Sequence, residues 1–191
     1  MRETSDFSYV ERAGKILDTI LRADASHYEA RRLRNEVDLH RHNFDAVVAS
    51  AQALSKIAPG DPANWAALGD ALMEKGEYER AAEAYDKMLA LAPGPASYNR
   101  AAWYRFVTGD PEGSIEAMRK AVSAGGFAGE KAAWCLAELG AIQFKTGRMD
   151  EARRSYEAAL RAFPGYHPAH AGMGRVLAAV SAFIGVHQRP S

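Results

Sequence analysis

Apolar and polar positions alternate at helical spacing most clearly between residues 62 and 93. The apolar positions of this segment are Trp65, Leu68, Leu72, Ala81, Tyr85, Met88 and Leu89. The first three share one face of a helix and the last four share one face of a second helix. A Lys-Gly-Glu hinge at residues 75–77 separates the two patterns. The pattern therefore predicts an antiparallel helix pair with a mutual apolar seam.

Residues that start and stop helices flank this segment. Asp61 immediately precedes Pro62, which is a favourable N-cap followed by a favourable first turn. A proline and a glycine at residues 93–94 form a good stop signal. Gly69 is predicted to face the two alanines at residues 81–82, because the absence of a side chain lets two helices approach closely.

The segment resembles the tetratricopeptide repeat (TPR). The residues that stand at the spacing of that family are Trp65, Leu68, Gly69, Ala81, Tyr85 and Pro93. Leu72 stands for the usual tyrosine, and Met88 stands for the usual alanine. The resemblance implies an all-α fold, a right-handed superhelix of antiparallel helix pairs, which is a TPR-like solenoid.

Further copies are found when the segment is shifted along the chain, by 34 and 68 residues toward the N-terminus and by steps of 33 and 38 toward the C-terminus. The predicted units are a lone capping helix at 7–24, a weak repeat at 27–59, a strong repeat at 62–94, a repeat at 95–124, a strong repeat at 131–165 and an unpaired C-terminal helix at 168–185. We interpret them as a single TPR-like solenoid domain over residues 1–191.

The last step is longer because extra residues lie between 124 and 130. The glycines of this stretch predict a longer loop between two repeats. Phe127 is predicted to tuck over the joint between them.

The resemblance also implies which residues line a concave groove. In the family these lie two before the Trp position and one, five and eight after it. The groove candidates are Asp70, Met73, Asn99, Trp103, Phe106, Trp134 and Phe144. Chaperone-tail binders of the family hold a terminal carboxylate with Lys and Asn where this chain has Ala66 and Asp70, so a clamp of that kind is not expected. Two interpretations of the large rings stay open, since they are either a binding hot spot or part of the core.

The function that follows from this resemblance is a non-enzymatic protein–protein interaction scaffold. A peptide or helix of a partner protein would bind in the groove, mainly through apolar contacts. One alternative is a regulatory part of a larger protein, because the chain starts and stops within the repeat pattern as a fragment would.

Another alternative is a structural self-assembly module. The C-terminal helix is more apolar than a free end should be. Its candidate self-association residues, at steps of three and four, are Met173, Val176, Leu177, Val180 and Ile184. A homodimer through this helix is therefore a second hypothesis.

Composition argues against nucleic-acid-binding and membrane-spanning classes of protein. Lys plus Arg and Asp plus Glu are balanced at 24 each, so no overall field attracts nucleic acid. No apolar run is long enough to span a membrane. The single cysteine, Cys135, fits a reducing compartment, and we expect a cytoplasmic location.

The sequence contains only weak evidence for catalytic or metal sites. The histidines at 40 and 42 lie in a hinge between two predicted helices, and those at 167 and 170 have no nearby carboxylate or cysteine that would complete a metal site. The arginines at 31, 32 and 34 alternate with acidic residues, which is typical of an ion-paired helix surface. Cys135 has no His or Asp at motif spacing. We therefore expect no metal, no cofactor and no enzymatic activity.

Overall fold

The computed structural model describes residues 8–187, and it describes side chains up to residue 182. Helices account for all the regular secondary structure in that range. Their bounds are α1 Ser8–Ala23, α2 Tyr28–His40, α3 Phe44–Ile57, α4 Pro62–Glu74, α5 Tyr78–Leu91, α6 Pro95–Val107, α7 Pro111–Gly125, α8 Gly129–Lys145, α9 Met149–Ala162 and α10 His167–His187. The described Cα positions form two compact units, and the boundary between the units lies between residues 93 and 94.

The first unit contains α1 to α5. Each helix packs on the next one in the chain, and α2 also packs on α4. Val47 and Leu54 of α3 and Leu72 of α4 are almost completely buried. Val10 and Leu17 of α1 belong to a separate small cluster that joins α1 to α2. Helices α2–α3 and α4–α5 are the pairs of this unit, and α1 precedes them as a single helix.

The second unit contains α6 to α10. Its consecutive helices pack in order, and the first helices of successive pairs also touch, α6 with α8 and α8 with α10. One core cluster joins α6, α7 and α8, and Ile115, Met118 and Ile142 are almost completely buried in it. A second cluster joins α8, α9 and α10 around Tyr156 and Val176. Because α6, α8 and α10 are neighbours, their free faces form one surface, which we call the inner face of the second unit.

Aspartate side chains cap the start of two helices. The Asp61 carboxylate accepts a hydrogen bond from the Ala63 backbone N–H at 2.9 Å, at the start of α4. The Asp110 carboxylate does the same for the Gly113 N–H at 2.9 Å, at the start of α7. In both cases a proline follows the aspartate, which supplies the fixed φ that suits a first helical position.

The turn between the two helices of a pair uses a left-handed residue at one repeated position. Gly76, Gly109 and Gly147 have φ angles of 75°, 89° and 78° there. The corresponding residue of the first pair is His42, with φ 59°. Glycine adopts this conformation without a steric penalty, whereas a residue with a Cβ does not.

The structure corrects the expected long loop between the repeats at 95–124 and 131–165. Only residues 126–128 separate α7 from α8. The additional residues instead lengthen α8, which has 17 residues where α4 has 13. Phe127 does not tuck over the joint, because it is 99% exposed.

Glycines allow close packing between helices, and tyrosine rings are their nearest neighbours at three positions. A Cβ on Gly69 would lie 2.3 Å from Cε1 of Tyr85, so the side chain nearest to Gly69 is the tyrosine ring. A Cβ on Gly140 would lie 2.9 Å from Cε1 of Tyr156. A Cβ on Gly172 would lie 2.3 Å from the same atom. The Tyr156 ring is therefore held between α8 and α10.

Candidate binding groove

Trp103 and Phe106 form an aromatic pair on α6. Their ring centroids are 5.6 Å apart and the planes are 83° to each other, an edge-to-face arrangement. Both side chains are partly buried and pack against the core cluster of α6, α7 and α8. They are thus neither freely exposed nor fully part of the core, and each ring keeps a solvent-accessible portion.

Two charged side chains of α8 hold this pair. The indole Nε1–H of Trp103 donates a hydrogen bond of 2.9 Å to Oε2 of Glu138. Nζ of Lys145 lies 5.0 Å from the Trp103 ring centroid and 5.6 Å from that of Phe106. At partly exposed sites, each such cation–π contact contributes about 0.5–1 kcal/mol. The aromatic pair is therefore a preformed surface with one anion and one cation at its edge.

The family positions used to predict the groove do not include Glu138 and Lys145. These residues are seven apart on α8 and lie on the helical stripe of Trp134. Two opposite charges seven residues apart, on the same helix face as an aromatic residue, are the sequence feature that could have indicated Glu138 and Lys145.

The other predicted groove residues of the second unit lie elsewhere. Nδ2 of Asn99 donates to Sδ of Met118 at 3.6 Å, so the amide is directed toward α7. Trp134 is partly buried against both core clusters. Phe144 packs against the cluster of α8, α9 and α10. From this set, Trp103 and Phe106 form the edge-to-face ring pair described above.

Asp70 and Met73 lie on α4 in the first unit, and both are partly buried. The hydroxyl of Tyr85 donates a hydrogen bond of 2.9 Å to Oδ1 of Asp70. The carboxylate of Asp70 therefore has a structural role inside its own helix pair.

Tyr156 is the counterpart of Tyr85 in the α8–α9 pair, but its hydroxyl is arranged differently. It is 1% exposed, and its hydroxyl oxygen has no hydrogen-bond partner at normal distance among the described residues. Ala141 occupies the repeat position of Asp70. Burial raises the pKa of Tyr156, and the nearby Arg175 guanidinium opposes this effect.

The candidate self-association residues on α10 are divided between core and surface. Val176 is 1% exposed and belongs to the core, and Met173 is partly buried against the same cluster. Leu177 and Val180 are 55% and 40% exposed. The side chain of Ile184 lies outside the described residues. Val180 also borders a cleft of about 680 Å³ between α10 and the start of α9.

Other candidate chemistry is not assembled in the described part of the chain. Across the side chains of residues 8–182, no three His, Cys, Asp or Glu residues converge as a metal site would require. None of the described helices combines the length and apolarity needed to span a membrane. Cys135 is completely buried, and burial raises the pKa of its thiol, so it is a small core residue.

Comparison with known proteins supports the repeat interpretation. The family model described as "Tetratricopeptide repeat" matches residues 41–96, 66–129, 99–167 and 137–183. Tetratricopeptide repeat protein 36 of Mus musculus is 35% identical over 89 residues, which are 46% of this chain and 48% of that protein. The chain thus spans about half the length of the curated relatives it matches.

Solved structures show the same fold. TTC0263, a thermophilic TPR protein of Thermus thermophilus, is similar with a TM-score of 0.79 and 15% identity, over 90% of this chain and 92% of that chain. YrrB, described as a TPR protein with an unusual peptide-binding site, has a TM-score of 0.57 and 13% identity, over 86% and 84% of the two chains. The all-α fold predicted from the sequence is confirmed. Since the family model matches repeatedly from residue 41 to residue 183, the chain belongs to the tetratricopeptide repeat family.

Proposed function

We propose that the chain is a non-enzymatic scaffold that binds a peptide or helix of a partner protein on the inner face of its second unit. TPR folds generally serve protein–protein interaction, and the finer proposal concerns the surface that this chain uses. The observation that carries it is the preformed pair of Trp103 and Phe106, with Glu138 and Lys145 at its edge.

The aromatic pair suits this role for a physical reason. Large rings that are already fixed lose little conformational entropy on binding, and they can bury much apolar area against a partner. Binding hot spots are enriched in aromatic residues for the same reason. The contacts of Trp103 with Glu138 and of Lys145 with both rings reduce their freedom before any partner arrives. An apolar side chain of a partner would bind over the pair.

A peptide-display experiment tests this proposal. The full chain would be used to select from a library of random twelve-residue peptides, and the affinities of selected peptides would be measured by fluorescence anisotropy. The double variant Trp103→Ala with Phe106→Ala should bind at least about tenfold more weakly, equivalent to 1.4 kcal/mol. Because both rings pack partly on the core, circular dichroism must show that the variant folds, and Trp103→Leu provides a variant with milder packing loss.

Phe127→Ala is the matched control, because it removes an aromatic ring that is almost fully exposed outside the groove. It should leave the affinity unchanged. If no peptide is enriched, or if a folded double variant keeps full affinity, the inner face is not the binding surface.

A second candidate function is self-association through α10, favoured by the exposed apolar side chains of Leu177 and Val180. Burying such a stripe against a second copy would form a homodimer. Light scattering at tens of micromolar should then show a dimer that Leu177→Glu with Val180→Glu converts to a monomer. Leu33→Glu, which changes an equally exposed leucine on α2, should not do so. A wild-type monomer at that concentration would remove this candidate.

A further inference from the structure

The exposed face of α10 corresponds to the face with which α8 packs on α9. Gly140 of α8 packs against a tyrosine ring of α9, and Oε1 of Gln143 accepts a hydrogen bond of 2.7 Å from the Ser155 hydroxyl of α9. Two residues of α10 stand 34 residues after this glycine and this glutamine, Gly174 and Leu177. They therefore occupy the two positions at which the first helix of a pair meets the second helix.

This face of α10 is open in the described part of the chain. A Cβ on Gly174 would have no neighbouring atom within 4 Å. Leu177 and Val180 are exposed, whereas Gln143, at the repeat position of Leu177, is only 3% exposed. The other side of α10 is occupied, because a Cβ on Gly172 would meet a tyrosine ring of α9. An apolar surface that a second helix covers in the preceding pair therefore faces solvent on α10.

A hydrogen bond at the start of α10 supports the same correspondence. Nε1–H of Trp65 in α4 donates to the carbonyl oxygen of Pro59 at 2.8 Å. His170 of α10 stands 105 residues after Trp65, and its Nε2 lies 2.8 Å from the carbonyl oxygen of Pro164. In both cases the ring bonds to the proline six residues before it. The beginning of α10 is thus built like the beginning of α4, which is the first helix of a complete pair.

A matching surface lies on α1. The side of α1 that packs on α2 carries Val10 and Leu17, and both are buried. Beside it runs a second stripe of apolar residues at steps of four, three and four, which are Tyr9, Ala13, Ile16 and Ile20. Ile16 and Tyr9 are 62% and 51% exposed, and the other two are partly buried. We call these four residues the outer stripe of α1.

The repeat pattern indicates what covers this stripe in a complete pair. Three residues of α5 stand 68 residues after Ala13, Ile16 and Ile20, namely Ala81, Ala84 and Met88. All three are buried, and α5 packs on α4. The outer stripe of α1 is therefore the surface with which the second helix of a pair contacts the first helix.

We propose that the outer stripe of α1 packs on the exposed face of α10 of a second copy of the chain, as the second helix of a pair packs on the first. The occupant is α1 and not another α10, because this face of α4 and of α8 meets a second helix, and α1 has the apolar pattern of one. The contact goes beyond the peptide binding proposed above and does not depend on it. It also gives α10 a different partner from the homodimer considered there.

Such a contact joins two unlike surfaces. After two copies have met, one outer stripe of α1 and one face of α10 remain free, so a further copy can add at either surface. The contact therefore produces a series of species that grows with concentration, as a ring or an open chain. Two-fold pairing through α10 stops at a dimer, so the size of the assemblies separates the two arrangements.

Sedimentation velocity of the full chain, from the low micromolar range to hundreds of micromolar, tests the proposal. The wild type should form dimers and larger species as the concentration rises. Ile16→Glu breaks the stripe of α1 and Leu177→Glu breaks the face of α10, so each should weaken association at least about tenfold, equivalent to 1.4 kcal/mol. Ile57→Glu on α3 is the matched control, because this isoleucine is 64% exposed outside both surfaces, and it should associate as the wild type does.

Mixing the two variants gives the sharpest result. An equimolar mixture of Ile16→Glu and Leu177→Glu contains one intact α10 face and one intact α1 stripe on different chains. It should form a one-to-one dimer and nothing larger, although each variant alone is a monomer. Pairing of like surfaces does not produce this pattern, because one of the two variants would then associate by itself.

The other outcomes overturn the proposal and leave peptide binding to its own test. A wild type that stays monomeric at hundreds of micromolar would refute the contact. Association of Ile16→Glu alone at wild-type strength would show that α10 pairs without α1, and a mixture that stays monomeric would refute the contact as well. Circular dichroism checks that each variant folds. Ile16→Gln and Leu177→Gln remove the apolar contact without adding charge, and they replace any glutamate variant that does not fold.

Discussion

The two strongest repeats, residues 62–94 and 131–165, share one packing arrangement but differ in the polar groups around it. Each packs a tyrosine ring, Tyr85 or Tyr156, against a glycine of the preceding helix. In the first, the tyrosine hydroxyl is bonded to Asp70, whereas in the second the hydroxyl has no acceptor among the described residues and Arg175 lies nearby. The repeat pattern therefore determines how the ring packs, while the residue after the glycine, Asp70 or Ala141, determines whether the hydroxyl has an acceptor.

The two regions also differ in how the ring is confined. Tyr156 contacts glycines on both sides, Gly140 of α8 and Gly172 of α10. Its core cluster joins three helices of the second unit. The last helix of that unit thus depends on the absence of a single side chain at residue 172.

The largest expected effect comes from placing a methyl group against the Tyr156 ring. Gly172→Ala would bring a Cβ to 2.3 Å from the ring, so the ring or α10 must move. Overpacking of this kind typically lowers the free energy of unfolding by about 1–3 kcal/mol. Urea denaturation followed by circular dichroism measures it. The control is Gly174→Ala on the same helix, where nothing lies within 4 Å, and alanine should be neutral or stabilising there. Equal effects of the two variants would show that Tyr156 is not tightly held.

A smaller effect separates the two hydroxyl groups. Tyr85→Phe removes the bond to Asp70 and should cost about 1 kcal/mol, because water can partly replace the lost donor at a partly exposed carboxylate. Tyr156→Phe removes a hydroxyl that lacks an acceptor among the described residues, so it should change the free energy of unfolding by less than about 0.5 kcal/mol. The same denaturation experiment compares the two variants. Comparable losses in both would mean that Tyr156 also has a stabilising partner.

The smallest expected effect appears at alkaline pH. Burial raises the pKa of Tyr156 in the folded state above its ordinary value of 10.0. The folded chain then holds the phenol proton more tightly than the unfolded chain, so this contribution is complete below about pH 10 and is lost as the pH rises through the folded pKa. Unfolding free energies measured at pH 8 and above pH 10 should therefore fall less for Tyr156→Phe than for the wild type. An identical fall would show that this phenol does not contribute.

The sequence predicted the helices well because apolar spacing and stop signals are local properties. It misjudged the stretch between 124 and 130, because its glycines were counted as loop although Gly125 ends one helix and Gly129 begins the next. It also did not predict the Tyr85 ring against Gly69, since the long reach of a tyrosine side chain cannot be inferred from spacing.

The candidate site was harder to predict. Trp103 and Phe106 followed from their repeat positions, whereas their partners Glu138 and Lys145 lie on another helix. The unsatisfied hydroxyl of Tyr156 depends on what three helices place around one atom. The repeat pattern assigns positions within a single helix, whereas a binding surface is formed by residues of several helices.

The left-handed conformation of His42 determines where local unfolding of the first unit begins. A residue with a Cβ at φ 59° carries a penalty of roughly 1 kcal/mol that Gly76 avoids at the next turn. This penalty is released whenever α2 and α3 separate, so local opening begins at that joint more readily than at the joint of α4 and α5. Amide hydrogens beside His42 would then exchange with solvent first, and the unit would fray from its amino-terminal end inward.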